Sequence, residues 1–214
     1  MKKVFTLAAL MGALTLFAAH KNTSGTRLTG KAASDVWAGA QTIWIKQDNI
    51  IPAYVEFRKG VEPAEAEFLS LLTKRFRLPS TYSFQLTGSE TDQLGWQHKR
   101  YQLLVNNIPV HNGVFLLHTE AGKVKKYNGY IFKNIGVGTT AGVSESDALA
   151  AALDAVHATT YKWELMEENQ YLKQETGNAN ASYFPKGQLE IIQAGDKKGN
   201  DFRLAWKFDI YAHQ

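Results

Sequence analysis

Residues 97–132 read QHKRYQLLVNNIPVHNGVFLLHTEAGKVKKYNGYIF. Tyr101, Leu103 and Val105 alternate with Arg100 and Gln102, and Asn106 and Asn107 supply a turn. Val114 to His118 is strand-like, and Glu120 to Lys123 carries a Gly turn into a further strand running from Val124 to Phe132. Alternation of period two sends successive side chains to opposite faces of a sheet, and Asn or Gly between such runs marks hairpins. The stretch from Tyr82 to Phe132 is therefore expected to be an antiparallel meander.

A helix should cover it. Ile51 to Phe57 is strand-like and stops at Lys59 and Gly60. Pro63 suits a first helical position, Glu62, Glu65 and Glu67 favour a helix N-terminus, and Phe68, Leu72 and Phe76, joined by Leu69 and Leu71, fall at helical spacing. Lys74, Arg75 and Arg77 complement the far end, and Pro79 stops it.

The small residues Gly136, Gly138, Thr139, Thr140 and Gly142 read as a linker over 136–142. Beyond it the plan repeats. Ser144 followed by Asp147 approximates a capping box and opens a helix whose Leu149, Ala152, Leu153 and Val156 share a narrow face. Tyr161 to Lys173 offers another helix, and strands return at Leu189 to Gln193. Leu204, Trp206, Phe208 and Ile210 then alternate with Ala205, Lys207 and Asp209, a hairpin expected to bury one face against the second helix. The fold class is α+β: two units, over 35–135 and 143–214, each a helix packed on an antiparallel sheet.

The chain has 214 residues, 44% hydrophobic and 21% charged, enough apolar content for a packed core. It has no cysteine, which excludes disulfides, thiolate metal sites and thiol nucleophiles. Lys2 and Lys3 precede an apolar run from Val4 to Ala19, after which His20, Lys21 and Asn22 are polar. That is the order of a secretory signal over 1–19, and the run is short of the roughly 20 residues of a membrane span. A secreted or periplasmic location follows, with membrane contact only through an uncleaved leader. Residues 20–34, rich in Thr, Ser, Gly and Lys, read as a flexible lead-in.

Losing Lys2 and Lys3 takes the formal charge from +4 to +2, too little to imply a polyanion partner. The local runs Lys123 to Lys126 and Lys197 to Lys198 sit beside Gly and read as solvated turn lysines. No aromatic residues interleave with a sustained basic stripe, so no nucleic-acid partner is expected.

Gly95, Trp96, Gln97, His98, Lys99, Arg100, Tyr101 and Gln102, then Asn107, Ile108, Pro109 and Val110, then His118, Gly122, Lys123 and Val124, then Asn128 and Gly129, together resemble the fungalysin/thermolysin propeptide (FTP) domain. The part from Val143 to Tyr211, with Ser144, Ala148, Leu149, Ala152, Leu153 and the strand of Leu204, Ala205, Trp206 and Phe208, resembles the PepSY domain that follows FTP in precursors of thermolysin-like zinc peptidases. The resemblance implies two cystatin-like units. It also implies a non-catalytic pro-region that inhibits such a peptidase and assists its folding, with the catalytic domain as partner in cis or in trans.

The peptidase signature needs two histidines one helical turn apart with Glu beside the first. No histidine here is followed by Glu, so no catalytic residue, metal ligand or cofactor is assigned. The chain ends at Gln214, directly after its most regular alternating strand, which reads as a pro-region without its catalytic part.

Partner binding is assigned to His98, Arg100, Gln102, Pro109 and His118, against the alternative that Pro109 only sets a turn or edge strand and Arg100 and Gln102 only line a polar face. His111 and His118, seven apart, fall on opposite faces of a regular strand and make no metal pair. The glycines from Gly136 to Gly142 lack a phosphate-loop ending, and Ser146 occupies the place of the second glycine of a nucleophile elbow after Gly142 and Ser144. A free-standing peptide-binding or peptidase-inhibitor module, adding a peptide strand to an exposed sheet, is the other reading.

Overall fold

The computed structural model describes residues 25–47, 49–194 and 201–213. The expected leader over 1–19 and the Lys197–Lys198 pair lie outside the described residues. The chain divides into two compact units, one running to Thr139 and taking in Glu190–Leu204, the other holding Thr140–Leu189 and the segment from Ala205 onward. The division falls inside the 136–142 stretch.

The first unit is built on an antiparallel sheet with strand order β1-β2-β3-β7-β6-β5-β4. The strands are β1 (Gly25–Thr29), β2 (Ala40–Lys46), β3 (Tyr54–Phe57), β4 (Tyr82–Thr91), β5 (Gln97–Val105), β6 (Ile108–Glu120) and β7 (Lys123–Gly129). Both expected hairpins are present. Asn106 and Asn107 have φ of 52° and 64°, and Ala121 and Gly122 have 50° and 71°. Two-residue loops with both central φ positive match the twist of their flanking strands, and Asn tolerates that conformation better than most residues.

Helix α1 (Gly30–Val36) and helix α2 (Glu65–Phe76) belong to this unit. Phe68, Leu72 and Phe76 of α2 are buried, as their spacing requires, and full burial of each such side chain is worth about 1.5–3 kcal/mol. Trp37 stacks on Phe68 with centroids 5.4 Å apart and meets Phe57 and Phe76 edge-on. The Arg75 side chain donates to the carbonyls of Asp35 and Val36, satisfying orphan acceptors at the end of α1.

Three expectations for this unit are corrected. Pro63 is not the first helical residue, because its carbonyl accepts the Val124 N–H at 3.0 Å and Ala64 bridges to Lys123, so the chain is still strand-like there. Glu65 N–H then donates to Gly122 O at 2.9 Å, a backbone partner where a capping side chain would serve. The lead-in is not wholly irregular: Gly25–Thr29 pairs with Thr42–Lys46 of β2 along its whole length. Lys123 to Lys126 are in β7, where Lys125 meets Glu62 and Glu120 and Lys126 meets Glu56.

Strands β8 (Gln188–Gln193) and β9 (Phe202–Lys207) pair with each other. Their buried residues do not go where the alternation suggests. β7 pairs with β6 only over Phe115–Glu120, leaving a neighbour's place beside Val110 that Ile191 fills in a parallel pair. Phe202 is buried in the first unit's core and packs edge-on against Phe132, which lies half-buried against that core. β9 ends at Lys207, leaving Phe208 and Ile210 beyond the strand.

In the second unit, α3 (Glu145–Val156) starts at Ser144, whose Oγ accepts the Asp147 N–H at 3.1 Å and donates to its carboxylate at 2.6 Å. A 3-10 turn at Lys162–Glu164 leads into α4 (Met166–Thr176), closed by Gly177 at φ 63°. Tyr161 stacks on Trp163, which meets Phe184 edge-on. Glu145 accepts the Gly187 N–H at 2.7 Å and Trp206 Nε1 donates to Val143 O at 2.9 Å. Among the described residues no helix is long and apolar enough to cross a membrane. The fold is α+β.

Candidate partner-docking face

The meander has two chemically different faces. Leu103, Phe115, Leu117 and Tyr127 are buried toward α2, where Phe68 lies 6.1 Å from Tyr127. Lys99 shares that side and pairs with Glu65 of α2. The intervening positions point the other way, because side chains alternate along a strand and register partners share a face. Arg100 on β5, Leu116 on β6, Asn128 on β7, Tyr54 on β3, Trp44 on β2 and Arg27 on β1 form one such row. The neighbouring row holds Glu90, His98, His118, Lys126 and Glu56.

Register brings His98 and His118 together. At the hairpin Val105 opposes Ile108 and Leu104 opposes Pro109; continued without interruption, that register would set His98 opposite Phe115. A bulge between Gln102 and Leu104 shifts the pairing by three residues, so Gln102 opposes Val114 and His98 opposes His118. An odd shift also exchanges the faces of everything beyond it.

Gln102 holds the bulge. Its Nε2 donates to Val110 O at 2.8 Å and Leu103 O at 2.9 Å, with Gly113 O at 3.3 Å, while Asn112 takes φ 58°. Gly113 is packed so that a Cβ would lie 3.0 Å from the Val110 carbonyl and 3.1 Å from Leu103 Cβ.

The two imidazoles meet Nδ1 to Nδ1 at 2.6 Å, and the chain continues outward at both ends. His98 Nε2 lies 3.2 Å from Asp92 Oδ2, and His118 Nε2 bonds to Asn128 Oδ1. Asp92 is held by its own turn, Oδ1 accepting the Leu94 and Trp96 N–H groups at 2.9 Å. The Trp96 N–H is the main cause that keeps its carboxyl below the ordinary range. Burial is the main cause that pushes His118 down from 6.5, with the Asn128 bond opposing and the His98 and Lys126 charges adding to it.

Of the five residues assigned from sequence, His98, Arg100, Gln102 and His118 fall on the outward face of the meander. Pro109 lies at the hairpin end, opposite Leu104 and one residue from the carbonyl that Gln102 engages. His111 goes elsewhere, to Glu190 at 3.0 Å. Sequence reasoning missed Asp92, Trp44 and Tyr54. The Asp-Gln-Leu-Gly-Trp turn, with Gly95 at φ 83°, was the available signal for Asp92. Among the described residues no group of three or more His, Asp or Glu side chains is arranged to hold a metal.

The sequence model of the Fungalysin/Thermolysin Propeptide Motif matches residues 82–131, the stretch that begins β4 and ends just past β7. The match takes in the meander with its outward residues Glu90, His98, Arg100, Leu116, His118, Lys126 and Asn128, while Arg27, Trp44, Tyr54 and Glu56 of the same face lie outside it. Bacillolysin of Bacillus subtilis subsp. amylosacchariticus and bacillolysin of Bacillus subtilis strain 168 are each 25% identical over 173 residues, which is 79% of this chain and 30% of theirs. The chain spans about three tenths of the length of these curated relatives.

Proposed function

We propose that this chain is a non-catalytic pro-region module that binds the catalytic domain of a thermolysin-like zinc metallopeptidase, covers its cleft and assists its folding. The observation that carries the reading is the coincidence of the propeptide-motif match, 82–131, with the β4–β7 meander whose outward face collects His98, Arg100, Gln102 and His118. The part from Val143 to Tyr211 acts with it as a PepSY-like second unit.

Such inhibition needs shape and no reactive group. An interface on the order of 1,600 Å² excludes substrate from a cleft. In a precursor, tethering supplies an effective concentration near millimolar, so modest surface affinity suffices; in trans the same surface must bind more tightly. The protein works outside the cytoplasm, where such peptidases act.

The test is a titration of a purified bacillolysin-type peptidase with the full chain, following hydrolysis and the yield of active enzyme on refolding. Activity should fall as the chain is added, and refolding yield should rise. No change in either quantity overturns the proposal. A second reading has one observation in its favour: β4 ends the strand order and leaves an edge to which an extended peptide could add. It predicts peptide binding with no slowing of the peptidase.

A further inference from the structure

The His98–His118 contact constrains how many protons the two rings can carry. A neutral imidazole has one N–H and one bare nitrogen, and an imidazolium has two N–H groups. Across the 2.6 Å Nδ1–Nδ1 contact only one proton fits, because a donor must face an acceptor. The outer nitrogens can each hold a proton, donated to Asp92 at one end and to Asn128 at the other. Three protons, a single positive charge, is therefore the most the closed pair accommodates. A fourth would set two N–H groups against each other.

We propose that the His98–His118 pair is a proton-limited latch across β5 and β6, closed while the two rings share at most one positive charge and forced open when both are charged. It stands on the geometry of the pair alone and does not depend on the pro-region reading.

The surroundings favour a single charge. Glu90, opposite His98 on β4, and Asp92 in the turn after it, whose Oδ2 lies 3.2 Å from His98 Nε2, put negative charge at the His98 end of the pair. Lys126, opposite His118 on β7, opposes a charge on His118, although Glu56 of β3 lies 3.4 Å from its Nζ. Arg100, two positions along β5, adds a second cation to the same face, while Glu120, two positions along β6, is engaged by Lys125. Burial is the main cause that opposes a charge on His118, with the His98 charge adding to it, so the second charge is the costly one.

The unfolded chain charges both histidines as pH falls through about 6.5. The closed fold then binds fewer protons than the unfolded chain, so its stability is complete above that pH and declines below it. One missing proton lowers the folding constant about tenfold per pH unit.

The experiment uses the full chain. Urea unfolding between pH 8 and pH 5 should show the native sequence losing stability more steeply than the double variant His98→Gln, His118→Gln, by up to about tenfold in folding constant per pH unit below 6.5. An NMR titration of the His118 ring should show its midpoint moving to higher pH in the single variant His98→Gln, where no second imidazole opposes it. Parallel unfolding curves, or an unmoved His118 midpoint, overturn the latch. If the variants do not fold, the native chain still decides it: one charge taken up by the two rings by pH 5 supports the latch, and two independent titrations near 6.5 overturn it.

Discussion

Lys125 Nζ lies 2.8 Å from Glu62 Oε1 and 3.3 Å from Glu120 Oε2, clamping β7 both to the segment that enters α2 and to the end of β6. The Glu62 side chain is nearly closed off from solvent, 7% exposed, and also accepts the Gly60 N–H at 2.7 Å. The hydrogen bond from Lys125 is the main reason its carboxyl titrates at about 2 and not at 4.5. A carboxyl depressed on folding contributes stability above its unfolded value that is lost as pH falls toward the folded one. Lys125→Met should cost about 1.5 kcal/mol at neutral pH, within the range for a hydrogen bond to a charged group. Urea unfolding of both chains should show that difference shrinking as pH falls from 4.5 toward 2.

Gly129 closes β7 where no other residue fits. Its φ is 139°, and a Cβ there would stand 2.3 Å from Val114 O and 2.4 Å from Phe115 Cα. Both obstacles are backbone of β6, which cannot swing aside as a side chain would. Gly129→Ala should cost about 4 kcal/mol or leave no soluble folded chain. Gly136→Ala, which meets nothing within 4 Å, should stay within about 0.5 kcal/mol by thermal unfolding.

These two sites also mark what the sequence could and could not say. The alternation from Gln97 to Phe132 and the spacing of Phe68, Leu72 and Phe76 set the meander and its helix directly, because local period and burial agree there. β1 was illegible: Gly-Thr-Arg-Leu-Thr is almost entirely exposed and owes its conformation to its partner β2, with no apolar period of its own. β2 shows consecutive buried residues at Thr42 and Ile43, so it lacks a clean period too. The His98–His118 contact was hidden for another reason. It depends on a three-residue bulge, and period-two reading carries no information about where a register slips.

Tyr127 is fully buried between Phe68 and Phe115, and its hydroxyl has no hydrogen-bond partner among the described residues. Burial alone pushes the phenol well above its usual range. An unpaired buried hydroxyl costs its desolvation without return. Tyr127→Phe keeps the ring contacts and should raise stability by roughly 1 kcal/mol, read as a higher urea midpoint with unchanged slope. A loss of stability would mean that the hydroxyl is satisfied after all.

Gln102 separates a structural role from a docking role on the same residue. If its only task were to meet a partner, replacing it would leave the isolated chain unchanged. The structure has its amide donating to the carbonyls of Leu103 and Val110, with Gly113 O at 3.3 Å, so the bulge depends on it. Gln102→Met fills similar space with no donor and strands those half-buried carbonyls, which should cost about 2 kcal/mol. Gln102→Glu is nearly isosteric yet presents oxygen to oxygen, so it should cost more at neutral pH, about 3 kcal/mol, and recover as acid protonates the carboxyl and restores a donor. That inverted pH response is the discriminating measurement, because a mere loss of packing would be independent of pH. Since the bulge sets which residues share the outward face, Gln102→Glu should also disturb the His98 and His118 ring signals by NMR, well beyond its own contacts.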